Sequence, residues 1–309
     1  MLRGSARIRL GGLALVLVTA LVAAGPASAA GFSIFEAGSR ATAMGGAFVA
    51  QADDVSAMFY NPAGLAKYTK KGELKAMVGV TLILPKSELA EGYNPYPGQG
   101  YSSKMADQFF FPPNFYASYG LSECVSLSFG TWFPFGLATR WDDPDWRGRY
   151  LSTYVDIKQY AAGLQLAWQI NDVIAVGAGP EFRISDVKLQ QKVPLLNPYT
   201  NRVVDAAHAD IRADMEVDVT FGAGIKINPT PKLSIGASYH GAVDAKFEGE
   251  AMFYQISTGY ADLDAAFASK IPVNTPVPVK TTVQMPAMSQ FGVSYDFGKV
   301  TAEAAATLT

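Results

Sequence analysis

The chain is poor in the residues that most catalytic and metal sites need. Its 309 residues contain one cysteine, Cys124, and two histidines, His208 and His240, so no disulfide framework can form and a histidine-rich metal site lacks ligands. Neither histidine lies at a metal-ligand spacing, and the sequence has no nucleophile elbow or glycine-rich phosphate loop. We therefore predict neither an enzyme nor a bound metal or cofactor.

Charge is scarce as well. Charged residues make up 17% of the chain and the formal net charge is −2, so there is no basic face and nucleic acid is not a predicted partner. Hydrophobic residues make up 49%, yet beyond the first thirty positions no run approaches the roughly 20 continuous apolar residues of a membrane helix. The apolar residues are therefore expected on strands. The 29 glycines, 18 phenylalanines and 15 tyrosines suit a barrel with aromatic girdles, although a secreted sandwich shares them.

The first thirty residues are typical of a secretory signal. Three arginines precede an apolar stretch, Leu10–Ala24, that is too short to span a membrane, and Ala27-Ser28-Ala29 has the pattern of a cleavage site. We predict a signal peptide over residues 1–29. An uncleaved membrane anchor is the alternative.

Residues 30–71 show no strand periodicity. The segment is rich in alanine and glycine and ends in Asn61-Pro62-Ala63-Gly64. Because Asn-Pro favours a turn, we predict short helical turns that are broken at this point. A simple turn, in which the asparagine side chain bonds its own backbone, is the alternative.

From residue 72 onward the apolar pattern has a period of two. In Asp214–Asn228 the odd positions, such as Met215, are apolar and the even positions are mostly polar, which predicts a strand with one apolar face. Lys232–Glu248 repeats this pattern, with Tyr239 and Phe247 on its apolar face. Nine candidate strands follow: Leu74–Leu84, Phe115–Leu121, Val125–Phe135, Gln159–Ile170, Ile174–Val187, Asp214–Asn228, Lys232–Glu248, Ala287–Phe297 and Lys299–Leu308.

The connections between these strands alternate in length. Short turns and long loops at opposite ends of a sheet are typical of an outer-membrane barrel, whose long loops lie outside the cell. An open strand edge cannot face lipid, and bacterial barrels have even strand numbers. We therefore expect the nine strands to be the N-terminal part of a longer protein. The short turns are at 122–123, 171–172, 229–231 and 298, and the long loops at 85–114, 136–158, 188–213 and 249–286.

The N-terminal residues carry a specific resemblance. From Gly31 the chain reads GFSIFEAGSRATAMGGAFVA, followed by Asp53-Asp54 and by Asn61-Pro62-Ala63-Gly64-Leu65. This segment resembles the start of the FadL/TodX family, the outer-membrane transporters of long-chain fatty acids and aromatic hydrocarbons. Gly136–Trp141 and Gly177–Gly179 add weaker matches. The resemblance covers the whole mature chain, with its specificity concentrated at the Asn-Pro-Ala segment.

The resemblance implies an all-β fold with a small helical hatch. The expected fold is a transmembrane antiparallel up-and-down barrel of about fourteen strands in full. About nine of these strands are present here over residues 72–309, and residues 30–71 form a hatch that closes the lumen. Ligand is captured outside, passes to a pocket in the barrel and leaves sideways through a gap at a kinked third strand, by diffusion alone. The implied partners are a long-chain fatty acid or other hydrophobic ligand, outer-membrane lipid and the barrel assembly machinery, for a monomer in the bacterial outer membrane.

Carried over residue by residue, the resemblance assigns a hatch and an exit. Asn61, Pro62 and Ala63 match the hatch motif that gates the lumen. The third strand contains Gly130 and Pro134 as candidates for the kink at the lateral opening. Proline donates no ladder hydrogen bond and glycine weakens a strand, so either residue favours an irregularity there.

Three residues are candidates for ligand contact. Alternation places Glu181 and Arg183 on the inner face of the fifth strand, where a cation suits a fatty-acid carboxylate. A structural ion pair of Arg183 with Glu181, or with an acidic residue of the next strand, is the alternative. The resemblance implies, by the order of the strands, that 188–213 and 249–286 are the loops of the capture groove. Phe267 in the second loop lies on a near-helical apolar face, which suits the groove or packing on the barrel rim equally.

Several functions stay open beside passive uptake of long-chain fatty acids. Uptake of toluene-type aromatic hydrocarbons and a non-specific porin or structural barrel are alternatives, although the plug-like N-terminal segment argues against a porin. An esterase acting on membrane lipid needs an activated serine, and no histidine is a convincing partner. His240 falls on the polar face of the seventh strand, where we expect a solvated luminal residue. A soluble sandwich would not sort its loops by length.

Overall fold

The computed structural model describes residues 32–90, 102–144 and 146–309. The predicted signal peptide, residues 1–29, lies outside these ranges, as do the first two residues of the predicted hatch. Within the described ranges no helix is long and apolar enough to cross a membrane.

The N-terminal segment is a series of short helical turns, as predicted. It contains α1 (Ser39–Ala43), α2 (Ala57–Tyr60) and a 3-10 helix (Pro62–Leu65). Asn61 is extended and caps the 3-10 helix, because its side-chain oxygen accepts a hydrogen bond from the Ala63 amide. Proline at the first helical position has no N–H to leave unpaired, which is why the helix begins there. We call residues 32–71 the hatch.

The described residues after the hatch are mainly β-structure. Twelve strands form one sheet in which every pairing is antiparallel, and two short strands, β2 and β3, pair apart from it. The predicted all-β antiparallel class is therefore confirmed. The strands are β1 (Leu74–Val80), β2 (Glu88–Ala90), β3 (Ser102–Lys104), β4 (Pro113–Gly120), β5 (Val125–Arg140), β6 (Tyr154–Gln169), β7 (Ile174–Asn197), β8 (Arg202–Met215), β9 (Asp218–Thr230), β10 (Leu233–His240), β11 (Val243–Gln255), β12 (Val277–Met285), β13 (Met288–Asp296) and β14 (Thr301–Leu308), with α3 (Ala261–Ala268) between β11 and β12.

Nine crossings of the sheet account for these strands. The main order of the sheet is β1-β4-β5-β6-β7-β9-β10-β13-β14, and β8, β11 and β12 lie off this path. Strand β7 is long enough to pair with β9 along its first half and with β8 along its second half. Two residues separate β8 from β9, β10 from β11 and β12 from β13, so each of these pairs is one interrupted crossing. The nine predicted strands correspond to these nine crossings, three of which are divided into two strands each.

The interruptions reverse which face of the strand is apolar. Met215 in β8 is 4% exposed and packs inside, whereas the lipid side carries Val217, which is 62% exposed. Tyr239 lies on the outer face of β10, but Phe247 in β11 is buried within. The predictions that Asp214–Asn228 and Lys232–Glu248 each keep one apolar face are therefore wrong, because a break in the ladder turns the following residues over.

Two predicted loops contain long extensions of the neighbouring strands. Strand β7 continues to Asn197 and returns as β8 from Arg202, so the region 188–213 is a tight hairpin instead of a loop. The region 249–286 consists largely of β11, α3 and β12. Above the bilayer neither face of a strand must be uniformly apolar, so these extensions lack the alternation that identifies membrane strands.

The core lies between the hatch and the inner face of the sheet. Phe48, Phe59 and Tyr60 of the hatch pack with Tyr116 and Trp132 of the sheet in one buried cluster. The outer face of β5, β6, β7, β9, β10 and β13 instead exposes large apolar side chains, as expected for a surface against lipid. They include Leu127, Phe129, Tyr160, Leu164, Leu166, Trp168, Phe182, Ile184, Val219, Phe221, Ile225, Ile235 and Phe291.

Candidate functional site

Asn61 ties the hatch to the sheet. Its side chain is fully buried, and Nδ2 donates to the Val49 carbonyl at 2.8 Å and to the Ile225 carbonyl of β9 at 2.9 Å. Its oxygen accepts from the Ala63 amide at 3.1 Å. One amide group therefore joins two parts of the hatch to the barrel wall, and an apolar replacement would leave buried carbonyls without a donor.

Tyr60, the residue before this asparagine, fixes the start of the hatch. Its hydroxyl donates to the Phe35 carbonyl and accepts from the Ala37 amide at 3.2 Å. Burial raises the pKa of Tyr60 far above its ordinary value, so the hydroxyl stays neutral. The first residues of the hatch are thus held against α2 by the Tyr60 hydroxyl, a neutral donor and acceptor.

The hatch rests on an ion-paired cluster of the inner wall. Glu181 is fully buried, accepts from Arg183 Nη2 at 2.6 Å and lies 2.7 Å from His240 Nδ1. Arg183 Nη1 donates to Gln159 at 3.0 Å, while Arg183 Nε is buried without an acceptor among the described residues. Burying these charges is tolerable because they are paired and hydrogen-bonded. We call Gln159, Glu181, Arg183 and His240 the ionic cluster.

His240 connects this cluster to the hatch. Its Nε2 lies 2.7 Å from the Phe59 carbonyl, and its ring stacks on the Phe59 ring at 5.5 Å. Both ring nitrogens of His240 therefore lie within hydrogen-bond distance of an acceptor oxygen, one on the hatch and one on the ionic cluster. The expectation of a solvated luminal histidine is therefore wrong: His240 is 2% exposed, because the hatch fills the lumen above it.

The third crossing, β5, is irregular beside Pro134. Its pairing with β6 shifts between Trp132 and Phe135, whereas Gly130 pairs regularly with Gly163. Gly130 instead faces the hatch, where a Cβ would lie 2.9 Å from Met58 Sδ. The irregularity therefore coincides with the proline, which has no N–H for the ladder. The assignment of either residue to a lateral exit stays a prediction.

The N-terminal end of the hatch pairs with β5 at this irregularity. Ile34 donates to the Pro134 carbonyl at 2.9 Å, and Gly136 donates to the Phe32 carbonyl at 2.8 Å. Ser33 thereby forms an isolated antiparallel bridge with Phe135. An apolar cavity of about 770 Å³ lies beside it, lined by Phe32, Ile34, Leu82, Phe110, Phe133, Leu137 and Tyr160 among others. The cavity therefore adjoins the irregular part of β5.

Removing the Ile34 amide is expected to release this end of the hatch. In Ile34→Pro the Pro134 carbonyl loses its donor, whose net worth is about 0.5–1.5 kcal/mol, so the paired state should become roughly 2- to 10-fold less populated. The expected readout is faster hydrogen exchange of the Gly136 amide, measured by mass spectrometry on the peptide that contains it. Ile34→Ala keeps the amide and is the control. Equal protection in both variants would show that the pairing does not hold the segment.

Phe267 lies on α3, which connects β11 and β12 at the outer end of the sheet. It is buried against Ala206 and Ala207 of β8, with Ile271 and Val273 beside it. The hydroxyl and amide of Thr258 donate to Asp264 at 2.6 and 2.9 Å, and this lowers the pKa of that carboxyl. The contacts place Phe267 in the packing of α3 on the rim. Its role in ligand capture stays a prediction.

Comparison with known proteins identifies the class to which this arrangement belongs. The sequence model of one family, described as "Outer membrane protein transport protein (OMPP1/FadL/TodX)", matches residues 20–303. The chain belongs to this family. FadL/TodX proteins are outer-membrane proteins, so the lipid-facing outer wall and the predicted outer-membrane location agree with the family.

Relatives of the FadL/TodX chain are distant and longer. It is 30% identical over 132 residues to an outer membrane protein of Neisseria meningitidis and 27% identical over 247 residues to the 47 kDa outer membrane protein of Pasteurella multocida. These matches cover 41% and 76% of this chain, but only 28% and 55% of the relatives. The chain thus spans at most about half the length of the curated relatives that it matches.

Solved structures share the fold. A FadL homologue from Pseudomonas aeruginosa superimposes with a TM-score of 0.72 at 20% identity, over 90% of this chain and 69% of that one. The toluene transporter TbuX of Ralstonia pickettii gives a TM-score of 0.62 at 17% identity, over 88% of this chain and 72% of that one. Likeness at such identities shows the FadL/TodX fold and does not distinguish substrates.

Sequence analysis did not identify two features of this FadL/TodX site. Gly177 and Gly224 pair across β7 and β9 and face the hatch motif, where a Cβ on Gly177 would lie 2.6 Å from the Pro62 carbonyl carbon. Glu303 on β14 accepts from the Ala50 and Gln51 amides at 2.8 and 2.9 Å. The alternation of Ile174–Val187 placed Gly177 inside, which is a signal, but nothing in the sequence connects Glu303 to the hatch.

Proposed function

We propose that the protein takes up hydrophobic molecules across the outer membrane, and that its ligands are long-chain fatty acids. The observation that carries the proposal is an apolar inner wall that ends on a buried guanidinium. A long tail with a carboxylate head matches this sequence of surfaces. Asn61, Pro62 and Ala63 would gate the passage, the break at Pro134 would be the exit, and Phe267 would help to form the capture site.

The apolar wall lines the inner face above the hatch. It is built by side chains of β5, β8, β11 and β12 and by partly buried neighbours from β6, β7 and the N-terminal residues. We call this set the inner apolar wall. Its members are Phe32, Phe135, Ile157, Val187, Ala213, Met215, Val243, Ala245, Phe247, Val283 and Met285. Such a surface suits an alkyl chain, because each buried CH₂ group contributes roughly 0.8 kcal/mol.

The ionic cluster adjoins the base of this wall. Gln159 is the cross-strand neighbour of Phe135 in the β5–β6 pair and of Ser185 in the β6–β7 pair. Arg183 donates to Gln159 with Nη1 and to Glu181 with Nη2, so its Nε is the donor without an acceptor. A carboxylate can accept from this nitrogen, whereas a neutral hydrocarbon cannot. This difference favours an acid over toluene as the ligand.

Removing the two charges together should separate these ligands. The double variant Glu181→Gln/Arg183→Gln keeps side chains of similar length and deletes the guanidinium. We expect the dissociation constant of oleate to rise about tenfold, equivalent to one charge-assisted contact, while toluene binding is unchanged. The measurement uses the protein expressed from its complete gene, in detergent, with radiolabelled oleate and toluene in separate titrations.

The control is Lys280→Gln, which removes an exposed outer-face charge that pairs with Glu248. Saturable toluene binding without oleate binding would assign the barrel to aromatic hydrocarbons. Binding of neither ligand, together with ion conduction in planar bilayers, would contradict the transport proposal and favour a porin.

A further inference from the structure

A second cavity lies on the other side of the barrel wall from the ligand path. Its volume is about 660 Å³, and its lining includes Arg140, Arg149, Lys188, Lys192 and His208. It sits at the outer ends of β5 to β8, under the connection 141–153. No step of the proposed transport uses it.

Strand register shows that these side chains point outward. Val187 belongs to the inner apolar wall, so the next residue, Lys188, faces the opposite side of β7. Lys188 pairs across the ladder with Arg212, and Lys192 pairs with His208. Cross-strand partners share a face, so Lys192 and His208 lie on the outer face with Lys188. The cavity is therefore separated from the lumen by the thickness of the sheet.

The charge in the cavity is only partly compensated. Arg140 pairs with Asp142 at 2.7 Å and Arg149 with Asp205 at 3.0 Å. Among the described residues neither Lys188 nor Lys192 forms an ion pair with a carboxylate. The acid across the ladder from Lys188 is Asp156, whose Oδ2 accepts from Lys158 and Tyr154 and whose Oδ1 is buried without a hydrogen-bond partner among the described residues.

The counts of charged groups agree with a site for an anion. The lining holds four lysine or arginine side chains and three aspartates, together with His208. His208 Nδ1 is buried and has no hydrogen-bond partner among the described residues. Two ammonium groups without a carboxylate partner, of which that of Lys188 lies 5.3 Å from the centre of the Tyr154 ring, and an unsatisfied ring nitrogen are the groups that a phosphate would engage.

The roof of the cavity contains a stacked pair of tryptophans. Trp141 and Trp146 stack with their ring centroids 3.9 Å apart, and Trp146 Nε1 donates to the Ser152 carbonyl at 2.7 Å. The roof is also tied to β7, because the Lys192 amide donates to the Arg149 carbonyl at 2.8 Å. These contacts hold the roof beside the outer end of β7. Tryptophan is enriched at the level of lipid headgroups.

The position of the cavity relative to lipid decides its occupant. On the same outer face of β7, Phe182 and Ile184 are exposed as lipid-facing side chains. Lys188 is four residues further toward the long loops, roughly 13 Å at 3.3 Å per residue. The cavity thus lies just above the apolar belt, where the headgroups of the outer leaflet begin. The outer leaflet of a Gram-negative outer membrane is built from phosphorylated glycolipid.

We propose that this cavity binds a phosphate group of the outer-leaflet glycolipid. Lys188 and Lys192 contact the phosphate oxygens, and the Trp141–Trp146 pair lies beside the sugar to which the phosphate is attached. The acyl chains run down the apolar outer face of β6 and β7. This site does not depend on the transported ligand, so its test is independent of the proposed function.

Lipid binding to a double variant tests the proposal. The protein expressed from its complete gene is titrated in detergent with bisphosphorylated lipid A and followed by native mass spectrometry. We expect Lys188→Gln/Lys192→Gln to weaken binding about tenfold or more, and Lys188→Arg/Lys192→Arg to restore most of it. The control is Lys246→Gln/Lys280→Gln, which removes two lysines from the outer face of β11 and β12. Folding of each variant is checked by its heat-dependent mobility on SDS gels.

Two further arms separate the sources of phosphate. Dephosphorylated lipid A should bind the unaltered protein and the double variant equally weakly. Inorganic phosphate at millimolar concentration should not displace lipid A, because the acyl chains supply much of the affinity. Equal lipid A affinity in the unaltered protein and the Lys188→Gln/Lys192→Gln variant would overturn the site. Displacement by phosphate alone would overturn the lipid assignment in favour of a soluble anion.

Discussion

Placing a leucine at Gly177 is expected to push the hatch away from the barrel wall. A Cβ at this position would lie 2.6 Å from the Pro62 carbonyl carbon and 2.8 Å from the Ala63 nitrogen. Both are backbone atoms, so no flexible side chain can move aside. Its cross-strand partner Gly224 faces Asn61 in the same way. Overpacking commonly costs about 1–3 kcal/mol, and here it also competes with the hydrogen bonds of Asn61.

The expected result for Gly177→Leu is a folded barrel with an exposed hatch. Limited proteolysis should cleave within residues 32–71, and ion conductance in planar bilayers should increase because the lumen is no longer filled. Ala178→Leu is the matched control, since the next residue on β7 is exposed on the lipid side. A protease-resistant hatch and unchanged conductance in Gly177→Leu would show that the two glycines do not position it.

Sequence periodicity predicted the crossings well because lipid imposes it. Strands in the bilayer must present an apolar outer face, and the turns at 122–123 and 171–172 interrupt that pattern sharply. The hairpin of β7 and β8 above the bilayer was predicted as a loop, since water accepts either kind of side chain there. The reversals at 216–217 and 241–242 were missed because each keeps the spacing of apolar residues while turning the strand over.

The hatch motif was predictable, but its receptor on the wall was not. Asn61 and Pro62 stand next to each other in the sequence and carry a local preference for a turn. Their partners lie far away along the chain: the Asn61 amide reaches Ile225, and the Ala50 amide reaches Glu303 across 253 positions. Such contacts depend on how the sheet curves around the hatch. A single sequence contains no local pattern that specifies this curvature.

For the candidate ligand residues Glu181 and Arg183, too, the position was predictable from the sequence and the contacts were not. Alternation correctly placed both on the inner face, and the structure adds the ion pair that was the alternative to ligand binding. The pair does not exclude a ligand role, since Arg183 Nε lacks an acceptor among the described residues. His240 was expected in water because its burial depends on the hatch, 181 residues earlier in the chain.

Neutralising Glu181 is expected to destabilise the barrel strongly. The carboxylate is fully buried and is the counter-ion of Arg183 at 2.6 Å, with His240 at 2.7 Å on its other oxygen. In Glu181→Gln these donors keep a polar neighbour but lose their charge partner. Breaking a buried pair on one side costs about 3–5 kcal/mol, because the remaining charge stays in a medium of low dielectric constant. The unfolding temperature should fall by roughly 10 °C.

The double variant Glu181→Gln/Arg183→Gln decides whether charge is the cause. If the cost comes from an unpaired guanidinium, the double variant should be more stable than Glu181→Gln, and the cycle of single and double variants should give a coupling energy of about 1–3 kcal/mol. The cycle compares the unaltered protein, Glu181→Gln, Arg183→Gln and the double variant. The unfolding temperature of each is measured by its mobility shift on SDS gels after heating. Glu248→Gln, which breaks the exposed pair with Lys280, should cost less than about 1 kcal/mol. Equal losses in Glu181→Gln and Glu248→Gln would mean that the cluster is hydrated, and the hatch would then be held by packing and by its other hydrogen bonds to the wall, among them those of Asn61 and Glu303.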